Sequence, residues 1–339
     1  MSEALRHYTN EFRSKRDVSP YDAEVFFDAL IAETDKELLV SLLEAWTDKG
    51  TTEDELYRFA SIMRGRMRPL RHSHETLVDI VGTGGSPVKT FNVSTAAAFV
   101  IAGAGLAVAK HGNRAATSIS GSSDVLSELG VNVDVDPEAT ERDLAEHGLC
   151  FMFAPRFHSL SPTLAAARRA IGRPTIFNNL GPICNPASVP HQIVGVYSPK
   201  LLERTARVLA RLGTDRSWVV SGHGGLDEIS LDGLTSIAEM SEGQVAISKI
   251  GTLDFGIERV EGRLPENCSP PESADVIEGI LSNESAGSDA EKLVLMNAAA
   301  AIFVSNYAKT LPEAFGLAQQ SVRDGKALDK LKCLRAKRR

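Results

Sequence analysis

Three short glycine-bearing segments hold most of the side chains in this sequence that could do chemistry. The first reads Asp79-Ile80-Val81-Gly82-Thr83-Gly84-Gly85-Ser86-Pro87-Val88-Lys89-Thr90-Phe91-Asn92-Val93-Ser94-Thr95. An apolar strand runs into a glycine cluster there, and an alanine-rich helix opens at Ser94 or Thr95. Glycine lets backbone N–H groups come close to a ligand. The unpaired amides and dipole of the helix start then favour an anion such as phosphate. Ser94 and Thr95 can cap the helix or offer hydroxyls to a ligand or metal. The competing reading is a tight strand-to-helix turn, and a GTGG tetrad alone does not decide between the two.

The second segment, Lys110-His111-Gly112-Asn113-Arg114-Ala115-Ala116-Thr117-Ser118-Ile119-Ser120-Gly121-Ser122-Ser123-Asp124, also follows a short strand and leads into a helix near Ser122. On its own it could be a solvated loop. Two such loops at the carboxyl ends of neighbouring strands point instead to a ligand with two separate phosphate groups. The third segment, Gly222-His223-Gly224-Gly225-Leu226-Asp227-Glu228-Ile229-Ser230, offers adjacent carboxylates. Alone these make an ordinary solvated turn, but beside a phosphate site they suit Mg²⁺, which takes oxygen ligands and substrate phosphates. His223 reads as incidental, because zinc would require several His or Cys donors at short spacing. A fourth segment carries His158, Arg168 and Arg169, then Thr175-Ile176-Phe177-Asn178-Asn179-Leu180-Gly181-Pro182. An arginine facing a cleft there can grip a planar carboxylate bidentately; Arg169 reads as a surface charge.

These segments need elements to position them. Residues 1–75 read as helices, with Ser19-Pro20 as a start signal for a stripe of Tyr21, Val25, Phe26, Leu30 and Ile31. Leu38, Leu39, Leu42, Leu43 and Trp46 repeat the stripe, and Thr52 with Glu55 opens another helix. From residue 77 short apolar runs at 77–81, 106–109, 131–135, 149–153, 193–197 and 218–221 alternate with helical stretches. That alternation predicts an α/β layer with a mainly parallel sheet covered on both faces. A helical insert at 161–185 breaks the rhythm and is expected to complete the small all-helical domain of residues 1–75. Residues 76–339 then form the larger α/β domain. Residues 266–287, rich in Pro, Ser, Asn and Glu, read as an exposed connection. A long apolar helix near 293–307 and one capped by Thr310 close the chain.

The 339 residues carry 37 Lys+Arg against 44 Asp+Glu, a net charge of -7. With 43% hydrophobic and 24% charged residues, wholesale disorder and fibrous repeats are excluded. No apolar run reaches the roughly 20 residues that span a bilayer. Cys150, Cys184, Cys268 and Cys333 lack CxxC pairing, which suits a reducing cytoplasm better than a disulfide framework. The acidic balance argues against general nucleic-acid binding, yet leaves room for a local anion site. The 27 glycines call for a reason, and the loops supply one for some of them.

Taken together, GTGG followed by TFNVST, then KHGNR with GSSDVL, TIFNNLGP-x-x-NPA and GLDEIS resemble the anthranilate phosphoribosyltransferase family. Its wider superfamily includes pyrimidine nucleoside phosphorylases. The resemblance implies Mg²⁺-dependent transfer of phosphoribose from phosphoribosyl diphosphate to anthranilate in tryptophan synthesis, by a homodimer joined through its helical domains. It implies that Gly82, Gly85, Thr90, Asn92, Ser94, Thr95, Lys110, Ser118 and Ser122 hold phosphoribosyl diphosphate. Gly84, Ser86, Val93 and Gly112 complete the substrate-binding loops. Ser94, Asp227 and Glu228 would be the Mg²⁺ ligands. Asn113 and Arg168 would hold anthranilate, with His111 and His158 lining its pocket. Lys110, Asn113 and Arg168 position the substrates, and no covalent intermediate is expected. Three positions depart from the family pattern: Ser86-Pro87 stands where Asp-Gly is usual, Ile119 where Lys is usual, and Pro174 where Arg is usual. These departures keep a different aromatic acid open as the acceptor. A nucleoside phosphorylase also stays open. A non-catalytic homologue that binds nucleic acid or a partner is disfavoured by the net charge of -7 and the intact Asp227-Glu228 pair.

Overall fold

The computed structural model describes residues 2–115 and 119–336. Four helices come first: α1 Ser2–Arg13, α2 Ala23–Ala32, α3 Lys36–Lys49 and α4 Glu53–Arg66. Helix α4 starts where the sequence placed it, with Thr52 and Glu55 forming a reciprocal capping box. Helix α2 does not start at Ser19-Pro20. It begins after Asp22, and Tyr21 and Val25, expected in the apolar stripe, are 94% and 68% exposed.

Strands and helices then alternate. β1 (Leu77–Gly82) is followed by α5 (Val93–Gly103), β2 (Ala107–Gly112), α6 (Ser122–Glu128) and α7 (Pro137–His147). β3 (Leu149–Phe153) leads into α8 (Ala154–Phe157), α9 (Pro162–Ile171) and α10 (Ile176–Ile183). β4 (His191–Gly195), α11 (Leu202–Arg211) and β5 (Arg216–Ser221) come next. β6 (Thr235–Ser241) and β7 (Gln244–Ile250) precede α12 (Pro270–Leu281), α13 (Asp289–Val304), α14 (Leu311–Arg323) and α15 (Lys326–Ala336).

One seven-stranded sheet runs β3-β2-β1-β4-β5-β6-β7. Its first five strands pair in parallel, and β6 and β7 add an antiparallel edge. The chain winds outward from β1 in one direction and from β4 in the other. The carboxyl ends of β1 and β4 therefore form the topological switch point, where open α/β sheets bind ligands. Successive strand residues serve opposite faces: Ile193, Trp218 and Val220 join the core with α5 and α13, while Val194 and Val219 join the core shared with α3, α4 and α11. The second core also holds Leu164, Ala167, Ile176, Phe177 and Leu180 of α9 and α10, so these helices pack with α3 and α4.

Two expectations are corrected, and one element is new. Residues 131–135 form no strand: Val131 and Val133 are buried, but the Asn132 side chain accepts from the Asp134 N–H at 3.0 Å, a local bond that competes with a ladder. Residues 266–287 are not an exposed connection, because a Ser269/Glu272 capping box and Pro270 open α12, whose Ile277, Ile280 and Leu281 are buried. The β6–β7 hairpin went unread because β7 is largely exposed and lacks an apolar run. Its signal was the Glu242-Gly243 turn, with both residues at positive φ (51° and 73°), as a two-residue hairpin requires.

Helix α5 explains its own composition. It packs on the sheet beside α13, which also touches β4, and against α14 and α15, with every residue from Thr95 to Gly103 buried. Alanine lets helices approach closely, and at Gly103 even a methyl is excluded: an ideal Cβ would sit 2.3 Å from Ser321 Oγ and 2.6 Å from Ala327 N. Gly103→Ala is expected to lower stability by about 1–3 kcal/mol, measured as a shift of the urea midpoint. An unchanged midpoint would show that the helices separate there without strain.

Candidate active site

The site starts with a steric fact at the switch point. Gly82 and Gly195 are paired in register at the ends of β1 and β4, and Asp227 crosses over both. An ideal Cβ at Gly82 would fall 2.9 Å from Asp227 Oδ2, and one at Gly195 would fall 1.6 Å from Asp227 O. Neither glycine has positive φ. Space, not backbone freedom, demands glycine at both. The Asp227 carboxylate accepts from the Gly84 N–H at 2.7 Å and the Thr83 hydroxyl at 3.3 Å. Glu228 accepts from the Ser94 N–H at 3.3 Å, at the N-terminus of α5. Burial raises both carboxyls above their usual range, and Asp227 pushes Glu228 further. Two crowded carboxylates of this kind are stabilised by a cation.

Lys110, near the end of β2, is 2% exposed, and its Nζ donates to Ile80 O and to Ser94 Oγ at 3.2 Å. Burial lowers its pKa, while Asp79 and Glu228 oppose that shift. Beneath it lies a buried network that sequence reasoning missed. Asp79 on β1 accepts from Asn185 at 2.7 Å, Gln192 at 3.3 Å and the His111 N–H at 3.4 Å. Burial raises the Asp79 carboxyl to about 6. The network ties β1, β2 and β4 together just below the loops.

A cavity of about 360 Å³ opens above this floor. From the first loop Gly82, Gly84, Thr90, Asn92 and Ser94 line it. Lys110, His111, Gly112, Asn113 and Ser122 line it from the second, and Asp227 and Glu228 from the third. Four expected residues stay off the wall. Val93 and Thr95 are buried in α5, Gly85 packs against Tyr197 and Pro174, and Ser86 is turned into the protein. Ser118 lies outside the described residues. His223 and Arg169 are exposed and off the wall, as expected.

The remaining wall comes from α8, α9 and α10. The Arg168 guanidinium stacks 5.1 Å from the Phe177 ring centroid, its Nε has no hydrogen-bond partner, and no carboxylate pairs with it among the described residues. Burial lowers it to about 10, well within the charged range at neutral pH. The His111 and His158 rings sit 5.0 Å apart. His111 Nδ1 meets Gly181 O at 3.1 Å, and Nε2 of both rings lacks a partner. Burial pushes His111 down to about 3 and His158 to about 4, so both are neutral at pH 7. Asn178, not foreseen, lines the same wall and donates to Thr83 O at 3.0 Å.

The three departures have visible contacts. Ile119 lines the cavity and is 52% exposed, Pro174 abuts Gly85, and Pro87, after the buried Ser86, packs toward Gly225. Arg173, one position before Pro174, turns away to pair with Asp48 of α3 at 2.7 Å. The donor set also bears on a metal. No cluster of three or more His, Cys, Asp or Glu suited to a metal occurs among the described residues. Asp227, Glu228 and the Ser94 hydroxyl alone fit an ion such as Mg²⁺, which completes its shell with water and substrate phosphate.

The histidines generate a pH prediction. Both folded values lie below the ordinary histidine value of about 6.5, so below that pH the unfolded chain takes up protons that the folded chain refuses. Stability from this source falls as pH drops from 6.5 toward 4. Asp79, raised to about 6, works in the opposite sense over about 6 to 3.8. His158→Gln is therefore expected to flatten the acid-side fall relative to the unaltered protein, measured by urea unfolding at pH 7, 6 and 5. An unchanged slope would mean that His158 is not held neutral by burial.

Comparison with known proteins places this geometry. Residues 74–328 match the family model described as "Glycosyl transferase family, a/b domain". The anthranilate phosphoribosyltransferase of Pelotomaculum thermopropionicum is 44% identical over 294 residues, covering 87% of this chain and 85% of the relative. That of Haloarcula marismortui is 38% identical over 327 residues, covering 96% and 98%. Among solved structures, the Thermus thermophilus enzyme of that name superposes with a TM-score of 0.86 at 34% identity, covering 97% of this chain and 98% of that one. The Saccharomyces cerevisiae enzyme, solved in complex with PRPP and Mg, gives 0.84 at 28% identity, covering 97% and 96%. Identity at this level over nearly the full length settles the kinship: the chain belongs to the anthranilate phosphoribosyltransferase family.

Proposed function

We propose that the cavity takes phosphoribosyl diphosphate and anthranilate side by side, with Mg²⁺ at Asp227 and Glu228. The chain then transfers phosphoribose to the anthranilate amine, giving N-(5-phosphoribosyl)anthranilate and diphosphate, a step of tryptophan biosynthesis. One observation carries this reading: a single cavity is lined both by a crowded carboxylate pair beside phosphate-ready amides and by an unpaired guanidinium. The first half suits a diphosphate with its cation, and the second suits a planar carboxylic acid.

Residue roles follow from position. Gly82 and Gly84 bring backbone close to the donor, and Thr90, Asn92, Ser94 and Ser122 offer polar groups around its phosphates. Lys110 faces the negative charge that grows on the leaving diphosphate as the ribose C1–O bond opens. Mg²⁺ supplies further stabilisation of that leaving charge when bound. Arg168 and Asn113 set the acceptor so that its amine, already neutral, faces C1. Neutral His111 and His158 shape an aromatic slot without adding charge that would compete with Arg168. No strong base is needed, and fixing both substrates can contribute on the order of 7–11 kcal/mol at best.

We further propose that residues 1–75 with 161–185 form a helical unit and the rest the donor-binding unit, supported by the core that α9 and α10 share with α3 and α4. We propose a homodimer joined through the helical unit, supported by the exposed Tyr21 and Val25 at the start of α2. A cytoplasmic setting fits four free cysteines, and no helix among the described residues is long and apolar enough to cross a membrane.

Two variants test the site. Arg168→Ala is expected to raise the KM for anthranilate by on the order of tenfold to a hundredfold, with a smaller effect on the KM for phosphoribosyl diphosphate. Anthranilate fluorescence follows the reaction, and an unchanged acceptor KM would remove Arg168 from the slot. Asp227→Asn combined with Glu228→Gln is expected to cut Mg²⁺-dependent turnover by more than about a hundredfold. Near-normal rates in that variant would move the metal elsewhere.

A further inference from the structure

We infer that Ser86 is a positioning residue: its hydroxyl latches the first glycine loop to the turn that delivers Asp227 and Glu228, so the phosphate cradle is built before substrate arrives. The inference rests on the proposed seating of phosphoribosyl diphosphate in that cradle, but the latch is visible without any ligand. Ser86 is 3% exposed and does not line the cavity. Its Oγ accepts from the Val88 N–H at 3.1 Å. The single hydroxyl proton is shared between Val88 O at 2.7 Å and Gly225 O at 2.9 Å. The bond to Gly225 crosses from the first loop to the third.

A second tether lies beside it, from the Gly84 N–H to Asp227 Oδ2 at 2.7 Å. The two loops are thus joined at 84–227 and again at 86–225, in antiparallel sense. Packing closes the gap between the tethers. An ideal Cβ on Gly85 would meet Tyr197 Cδ1 at 2.6 Å and Pro174 Cγ at 2.9 Å, so the loop is wedged with no spare volume. Gly225 holds a φ of +85°, and a Cβ there would meet Tyr197 O at 3.0 Å and Pro87 Cδ at 3.3 Å. Pro87 adds a fixed φ and removes one backbone donor. Each feature limits the conformations that the loop would otherwise lose on binding, which is how preorganisation raises affinity. Ser86 therefore acts through Gly84 and Asp227, not by touching substrate.

The test uses the full-length protein and two readouts. In ligand-free protein the Val88 amide is expected to exchange slowly, and in Ser86→Ala roughly tenfold faster, because the buried acceptor is gone. With phosphoribosyl diphosphate varied at saturating anthranilate and Mg²⁺, Ser86→Ala is expected to raise its KM roughly tenfold, with a smaller fall in kcat. Ser86→Thr, which keeps the hydroxyl, recovers most of the loss. A lower melting temperature with unchanged KM would reduce Ser86 to a structural residue and overturn the inference. Fast Val88 exchange in the unaltered, ligand-free protein would overturn it even if the alanine variant failed to fold. If the unaltered protein consumed no anthranilate, the functional reading would fall, while the exchange measurement would still decide the latch.

Discussion

The site depends on one crossing. Asp227 runs over the carboxyl ends of β1 and β4 at a distance that leaves no room for a side chain at Gly82 or Gly195. Because these two residues are paired in the sheet, the crossing pins the third loop to two interior strands. From there Asp227 reaches the Gly84 amide, and Glu228 reaches the Ser94 amide at the start of α5. A carboxylate pair placed by backbone contact and amide bonds keeps its geometry without a cation present. Burial raises both carboxyls, and Asp227 raises Glu228 further, so ionising the pair is costly unless a divalent ion shares the charge.

The same economy extends below the sheet surface. Asp79, Asn185 and Gln192 satisfy one another's polar groups between β1, β2 and β4, so Lys110 and His111 leave β2 from a fixed base. A buried carboxyl that is only partly offset by its neighbours is costly unless fully bonded, and here three donors meet it. The alanine-rich α5 presses on β1 and β2 from one face, with α13 beside it on β4 and α15 packed against it. Core packing and site geometry are therefore one problem in this chain.

Much of this was legible in the sequence. The alternation of apolar runs and helical stretches located all five parallel strands, because strands buried on both faces read as unbroken apolar runs. The loops were legible through glycine next to hydroxyls and charges. What failed has physical reasons. Val131 and Val133 carry a strand's apolar pattern, but Asn132 bonds its own backbone and no strand pairs there. β7 pairs only on one side and is mostly exposed, so it has little apolar signal. Gly195 looked like any strand glycine, since the atoms it yields to lie thirty-two residues on, at Asp227. Ser86 read as a substrate contact from its place in the loop, whereas its side chain points to Gly225. Contacts between segments distant in sequence leave no periodic trace.

The two halves of the cavity are built from different material. The glycine-loop side is cut from strand ends and the turns after them. On the other side, Arg168 and Phe177 sit on α9 and α10, which pack on α3 and α4, while His158 follows α8 and His111 and Asn113 come from β2 and the loop after it. The Arg173–Asp48 pair links that helical wall to α3, while Asn178 and Gly181 join it to Thr83 after β1 and to His111 on β2. A substitution in α10 that shifts Asn178 therefore reaches the first glycine loop through Thr83, and one that shifts Pro174 reaches it through Gly85, so the two walls respond to change together.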